Sequence, residues 1–320
     1  MAVQRIRAAV VQDAPRAFDA ATSCAKAIER MEQAADSGAA IVVFPEVFLS
    51  GYPKGLDFGA RVGWRTDEGR EWFRRYSEGA IKIPGEETAR LCEAAARCRQ
   101  TVVIGITEQV GGTLYCTALY VGPEGKILGR HRKVMPTALE RLIWGSGDGS
   151  TLAAVETPQG KLGAAICWEN YMPLLRMSLY AQGVELYAAP TVDDRDSWIA
   201  TMRHIALEGR CFVLAAAPFM RRGDFPADYP DGLDPDLQRV VIRGGSCILN
   251  PLGQFLVGPV YGEAKILLAD LDRADLTRAR LDFDAVGHYA RPDLFQLRVN
   301  TAEVKPCNFG DYSADEPLDS

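Results

Sequence analysis

Strand-like and helical runs alternate along this chain, and three Pro-x-Gly turns each separate two short β-prone runs. Alternation predicts an α/β fold. The turns predict hairpins, which are antiparallel, so the sheets are expected to be mixed. Arg5 to Gln12 reads as the first strand, and Phe18 to Asp36 as an amphipathic helix stopped by Ser37-Gly38. Ala40 to Phe44 is a second strand. After an irregular stretch, Glu86 to Arg99 has helical spacing and Thr101 to Thr107 is strand-like. The turns are Gly122-Pro123-Glu124-Gly125-Lys126, Thr157-Pro158-Gln159-Gly160-Lys161 and Asn250-Pro251-Leu252-Gly253-Gln254. Proline pre-sets φ at the second position and glycine tolerates the exit. Glu185 to Ala189 and Phe212 to Ala217 flank a helix, Asp196 to Glu208, with Trp198, Met202 and Ile205 at helical spacing. Arg221 to Arg243, with three prolines among five aspartates, reads as a long surface loop.

At 320 residues, 48% hydrophobic and 24% charged, the chain has the composition of a globular protein with a large core. Length alone suits about two domains. Nothing resembles a linker, so residues 1–300 read as one domain and 301–320 as a polar tail. A net charge of −6 without a long basic run argues against nucleic acid or an acidic membrane as partner. No leader is evident, and no apolar run approaches the roughly 18 residues that span a bilayer. The expected address is the cytoplasm. The eight cysteines agree, for they form no Cys-x-x-Cys pair and no zinc spacing. Cys24, Cys92, Cys211 and Cys247 read as small buried hydrophobes.

Cys167 differs from the other cysteines. It closes the apolar run Lys161 to Ile166, and a helical pattern from Leu174 to Gln182 begins soon after. A strand that turns sharply into a helix presents its corner residue to a cleft, where backbone N–H groups favour thiolate. A nucleophilic thiol still needs a partner to take its proton. Two other strand-like runs end in charge: Ile41 to Glu46, closed by Phe44-Pro45-Glu46, and Ile127 to Lys133, closed by His131-Arg132-Lys133. Taken singly, Glu46 reads as a cap and the basic run as a solvated face. Together, carboxylate, ammonium and thiol suffice to hydrolyse a carbon–nitrogen bond through a covalent intermediate. A Cys–His dyad using His131, His204 or His288 stays open but has no motif behind it.

The segments Phe44-Pro45-Glu46, His131-Arg132-Lys133 and Ile166-Cys167-Trp168-Glu169-Asn170 resemble the Glu–Lys–Cys motifs of the nitrilase superfamily, in its order and spacing. Cys167 to Pro173, His131 to Thr137 followed by Glu140-Arg141-Leu142-Ile143-Trp144, and Gly147-Asp148-Gly149-Ser150 resemble true nitrilases more than the amidase and carbamoylase branches. The likeness continues through Ala188-Ala189-Pro190-Thr191, His204 to Gly209 and His288 to Asp293, and covers roughly Ile6 to Arg298. It implies a four-layer αββα sandwich with Glu46, Lys133 and Cys167 as catalytic residues at strand ends. Glu140 is implied as a supporting carboxylate that holds Lys133. It further implies hydrolysis of a small-molecule nitrile to the acid and ammonia, without metal or cofactor. Protomers of the family pair through helices and often assemble into spirals.

Tyr52, Trp144, Trp168, Pro190 and Thr191 neighbour these motifs and are the expected substrate-binding wall. Glu169 reads as structural. The glycine-rich Gly147 to Ser150 lacks the lysine of a phosphate cradle. Leu174, Leu175, Met177, Ser178 and Leu179 are more apolar than one buried face requires, which suggests contact with a second protomer. An amidase of the same superfamily is the nearest alternative, and a catalytically silent scaffold is the alternative of another class.

Overall fold

The computed structural model describes residues 5–230, 236–305 and 307, with strands β1–β13 and helices α1–α6 numbered along the chain. One sheet contains β1 (Arg5–Gln12), β2 (Ile41–Val43), β3 (Thr101–Val110), β4 (Thr113–Val121), β5 (Ile127–Arg132) and β13 (Lys265–Asp272), in the order β13-β1-β2-β3-β4-β5. The other contains β6 (Val155–Thr157), β7 (Gly160–Ala164), β8 (Leu186–Pro190), β9 (Phe212–Ala216), β10 (Phe219–Arg221) and β11 (Val240–Leu249). Its order is β10-β11-β9-β8-β7-β6, with β12 (Phe255–Tyr261) also paired to β11. Both sheets are mixed: β1-β2-β3 and β7-β8-β9 run parallel, and antiparallel strands flank each set. All three Pro-x-Gly turns form hairpins, joining β4 to β5, β6 to β7 and β11 to β12.

Side-chain alternation divides the interior into layers. Val10, Val43, Val103 and Ala118 from the first sheet meet Leu162, Ala188, Leu214 and Ile248 from the second in the central core. The intervening residues, Val11, Val42, Ile104 and Leu119, turn outward onto α1 (Ala20–Asp36) and α3 (Glu86–Cys98). Ala165, Tyr187, Val213 and Cys247 turn outward onto α4 (Pro173–Ala181) and α5 (Asp196–Gly209). The result is the four-layer αββα sandwich. Among the described residues no helix is long and apolar enough to cross a membrane.

Several elements differ from expectation. Helix α1 starts at Ala20 because Asp19 caps it, accepting from the Thr22 N–H. Phe18 instead has a left-handed φ of 68° and packs edge-on against Trp72, Tyr76 and Tyr229. The stretch after β2 contains an unforeseen helix, α2 (Asp67–Glu78), capped by Thr66. The Arg221–Arg243 segment is not a surface loop throughout. It opens at the end of β10 and closes along β11, while Arg222, Phe225 and Tyr229 are buried between. Its residues 231–235 lie outside the described residues, as do 306 and 308–320 of the tail. Cys24, Cys211 and Cys247 are buried as expected, but Cys92 is only half-buried.

Candidate active site

The three candidate catalytic residues follow three strands. Glu46 lies in the loop after β2, Lys133 immediately follows β5, and Cys167 follows β7. The first two therefore come from one sheet and the third from the other. The Glu46 loop lies directly against β3, where a Cβ on Gly105 would come within 2.3 Å of Pro45 O and the Val47 nitrogen. Only glycine permits that approach. Val47, Ala138 and Cys167 all have left-handed φ, at 44°, 48° and 50°. Such strain in non-glycine residues collects where tertiary structure must aim a functional group.

Lys133 is 1% exposed, and its Nζ donates to Glu46 Oε1 and Glu140 Oε2, each at 2.8 Å. Glu140 is fixed in turn by the Thr137 N–H at 2.6 Å and the Tyr52 hydroxyl at 2.8 Å. Burial works against the Lys133 charge, but Glu46, Cys167, Cys116 and Glu140 outweigh it and hold its pKa well above that of ordinary lysine. Burial raises the Glu46 pKa against the pull of Lys133. The Glu46 Oε2 atom is buried with no hydrogen-bond partner.

The corner at Cys167 takes two steps. Strand β7 ends at Ala164, a 3-10 turn spans Cys167–Tyr171, and α4 starts at Pro173. Asn170 ties the turn by donating to Ala165 O and Cys167 O, both at 2.8 Å. Burial, then the charge of Glu46, pushes the Cys167 thiol well up, against Lys133 and a hydrogen bond with Thr191. Desolvation outweighs the pull that backbone N–H groups at the corner exert toward thiolate, which agrees with the expectation that the thiol needs a partner to take its proton.

The basic run is not a solvated face either. His131 Nε2 lies 2.6 Å from Glu169 Oε1, Arg132 makes a two-pronged pair with buried Glu108 at 2.9 and 2.7 Å, and Lys133 has its two carboxylates. Glu169 also accepts from the Ile166 N–H at 2.5 Å and the Val134 N–H at 3.0 Å. One carboxylate therefore joins the corner before Cys167 to the chain on both sides of Lys133. His131 is committed to that structural pair, while His204 is largely exposed on α5.

A cavity of about 490 Å³ opens at Cys167 and is lined by Tyr52, Trp144, Trp168, Leu139, Asp193 and Arg195, among others. Of the five residues expected to bind substrate, Tyr52, Trp144 and Trp168 line this cavity. Pro190 and Thr191 do not line it. Pro190 ends the buried strand β8, and Thr191, fully buried, lies beside the Cys167 thiol. Sequence reasoning missed Cys116, whose Sγ is 3.4 Å from Glu46 Oε1. It also missed Asp193, which accepts from the Trp168 indole at 2.8 Å and binds Arg195, whose guanidinium stacks 4.6 Å from the Trp168 ring. Asp193 and Arg195 read only as part of a polar Asp-Asp-Arg-Asp loop, which has no spacing signal.

Fold and site together define a hydrolase of carbon–nitrogen bonds. The carbon-nitrogen hydrolase family matches residues 7–281, and the chain belongs to that family. Within the family it is similar to proteins named as nitrilases. It is 54% identical to an aliphatic nitrilase of Sinorhizobium fredii, over 92% of this chain and 96% of that protein. It is 50% identical to a bifunctional nitrilase/nitrile hydratase of Lupinus angustifolius, over 95% and 88%. The carbon-nitrogen hydrolase structure from Helicobacter pylori shares the fold, with a TM-score of 0.73 at 19% identity over 91% of this chain and 97% of that one.

Proposed function

We propose that this protein hydrolyses an organic nitrile to the carboxylic acid and ammonia, with Cys167 as nucleophile, Glu46 as base and Lys133 as electrostatic stabiliser. The observation that carries the reading is the buried Lys133 ammonium bridging Glu46 and Glu140 beside a cavity that opens at Cys167. As Cys167 Sγ bonds to the nitrile carbon, its proton passes to Glu46 and on to nitrogen, giving a thioimidate. Glu46 then deprotonates a water that adds to the same carbon. The tetrahedral species faces Lys133 and the Trp168 N–H, which has no acceptor within its own turn because Trp168 is the second residue of that turn. Ammonia leaves, and a second water cleaves the acyl-thioester to release acid and thiol. Expulsion of sulfur before nitrogen yields the amide instead.

Glu140 and Tyr52 act through Lys133, and Trp144 and Trp168 form the apolar wall. No metal or cofactor enters these steps. Among the described residues no three His, Cys, Asp or Glu side chains converge as a metal would require. We place the protein in the cytoplasm, a reading supported by eight unpaired cysteines. Self-association through the outer helical layer is supported by the exposure of Tyr171, Met172, Leu174 and Leu207 on or beside α4 and α5.

Ammonia, acid and amide released from aliphatic, aryl and arylaceto-nitriles test the function directly, before and after exhaustive chelation. Turnover that survives chelation and disappears in a folded Cys167→Ala variant supports the reading. Turnover of amides with none of nitriles would transfer the protein to the amidases.

A further inference from the structure

We propose that Cys116 is a positioning residue for Glu46: its thiol occupies Oε1 together with Lys133, which reserves Oε2 for the proton of Cys167. This rests on the assignment of Glu46 as base. The two carboxylate oxygens have unequal surroundings. Oε1 accepts from Lys133 Nζ at 2.8 Å and from Cys116 Sγ at 3.4 Å, whereas Oε2 is buried without a partner. A buried acceptor left unmet is costly unless its function uses the free lone pairs. Because the carboxylate is planar and rigid, holding one oxygen from two sides fixes where the other points.

The position of Cys116 follows from the strand pair that delivers Lys133. Thr117 pairs with Arg132 in the β4–β5 ladder, and the Lys133 N–H donates to Cys116 O at 2.8 Å. Ammonium and thiol thus come from facing positions of one hairpin. Burial, then the neighbouring charge of Glu46, holds the Cys116 thiol well above the ordinary thiol range, which favours the protonated, hydrogen-donating form. Packing explains why a small apolar side chain is buried here. It does not explain why the sulfur contacts the carboxylate of the base.

In the reacting step the Cys167 S–H bond breaks as sulfur bonds to carbon. The proton moves to Glu46 Oε2 and from there to the nitrile nitrogen. Besides Cys116, Lys133 and Glu140 on the segment after β5 act on Glu46, and Glu46 in turn raises the pKa of Cys167 at the β7 corner, Tyr52 beyond the Glu46 loop and Tyr76 from α2. Lys133 and Cys116 favour the ionised carboxylate, and Glu140 opposes it.

The test compares Cys116→Ala and Cys116→Ser in nitrile hydrolysis across pH. Loss of the donor should lower kcat roughly tenfold with KM little changed, the scale of one hydrogen bond to a charged group. It should also move the acid limb of kcat/KM to higher pH, because ionised Glu46 loses a stabilising donor. Serine, a stronger donor of similar size, should restore kcat and return the limb to the wild-type position or below it. Unchanged kcat and limb in Cys116→Ala, whatever happens to its Tm, would reduce Cys116 to packing. If the alanine variant does not fold, the serine variant decides: loss of kcat together with an upward limb overturns the proposal. Full turnover by Glu46→Gln would instead remove the base assignment and leave the hydrogen-bond geometry untouched.

Discussion

Lys133 combines near-complete burial with two carboxylates on a single Nζ, and this fixes both its charge and its length. A guanidinium is broader and longer than an ammonium and cannot take the same point between Glu46 and Glu140. Lys133→Arg should therefore keep its charge and lose at least about 100-fold in kcat, the scale of one misplaced electrostatic stabiliser. Steady-state kinetics beside a circular dichroism spectrum checks this; a near-normal kcat would make the residue incidental. Residue identities at this site were legible where a charge or thiol closes an apolar run, as at Glu46, Lys133 and Cys167. Cys116 was not legible for a specific reason. Counting back from the Gly122 to Lys126 turn places Cys116 opposite Arg132, but an irregularity near Val121 shifts the register by one and brings it opposite Lys133. Thr191 lies beside the Cys167 thiol but outside the cavity lining, since proximity in sequence does not say which side of the nucleophile a residue occupies.

The end of β5 shows how alternation turns a basic tripeptide into three separate ion pairs. His131 and Lys133 project to one face and Arg132 to the other, and each meets carboxylates. Both ring nitrogens of His131 face oxygen acceptors, Glu169 Oε1 and Thr151 O, an arrangement that suits the doubly protonated ring. Burial alone would lower its pKa, but Glu169 reverses this and raises it above the ordinary 6.5. The stabilisation is therefore whole below pH 6.5 and is lost as pH rises through the higher folded value. His131→Gln should cost about 2 kcal/mol at low pH and less as pH climbs. Tm measured for both proteins across that range checks it, and a pH-independent difference would refute it. Strands and hairpins were readable because their signals are local: alternation, and proline with glycine at fixed offsets. Helix α2 escaped because it buries only Trp72, Tyr76 and Gly69, too sparse an apolar face to stand out in a polar stretch.

Across the whole molecule, the outer helical layer of the second sheet separates packing from exposure. Leu175 and Leu179 are buried, Met177 is partly packed against the same core, and Leu174 is 68% exposed. A charge at Met177 would disturb the protomer itself, so Leu174→Glu is the cleaner probe of association. We expect it to shift sedimentation toward a smaller species and to lower nitrile turnover, since α4 begins six residues after Cys167. An unchanged sedimentation profile would locate any interface elsewhere. The layering also explains what the acidic side chain at Glu169 implies. Ammonium and thiol belong to different sheets, so their separation depends on how those sheets are stacked. Glu169 reaches from Ile166 beside one to His131 and Val134 beside the other. Under the proposed mechanism this side chain, itself outside the bond-making, would act as a gauge block whose length sets the gap between nucleophile and ammonium. Both the reach and the charge of that residue then matter, and Glu169→Asp, which keeps the charge and removes one methylene, separates the first from the pairing with His131.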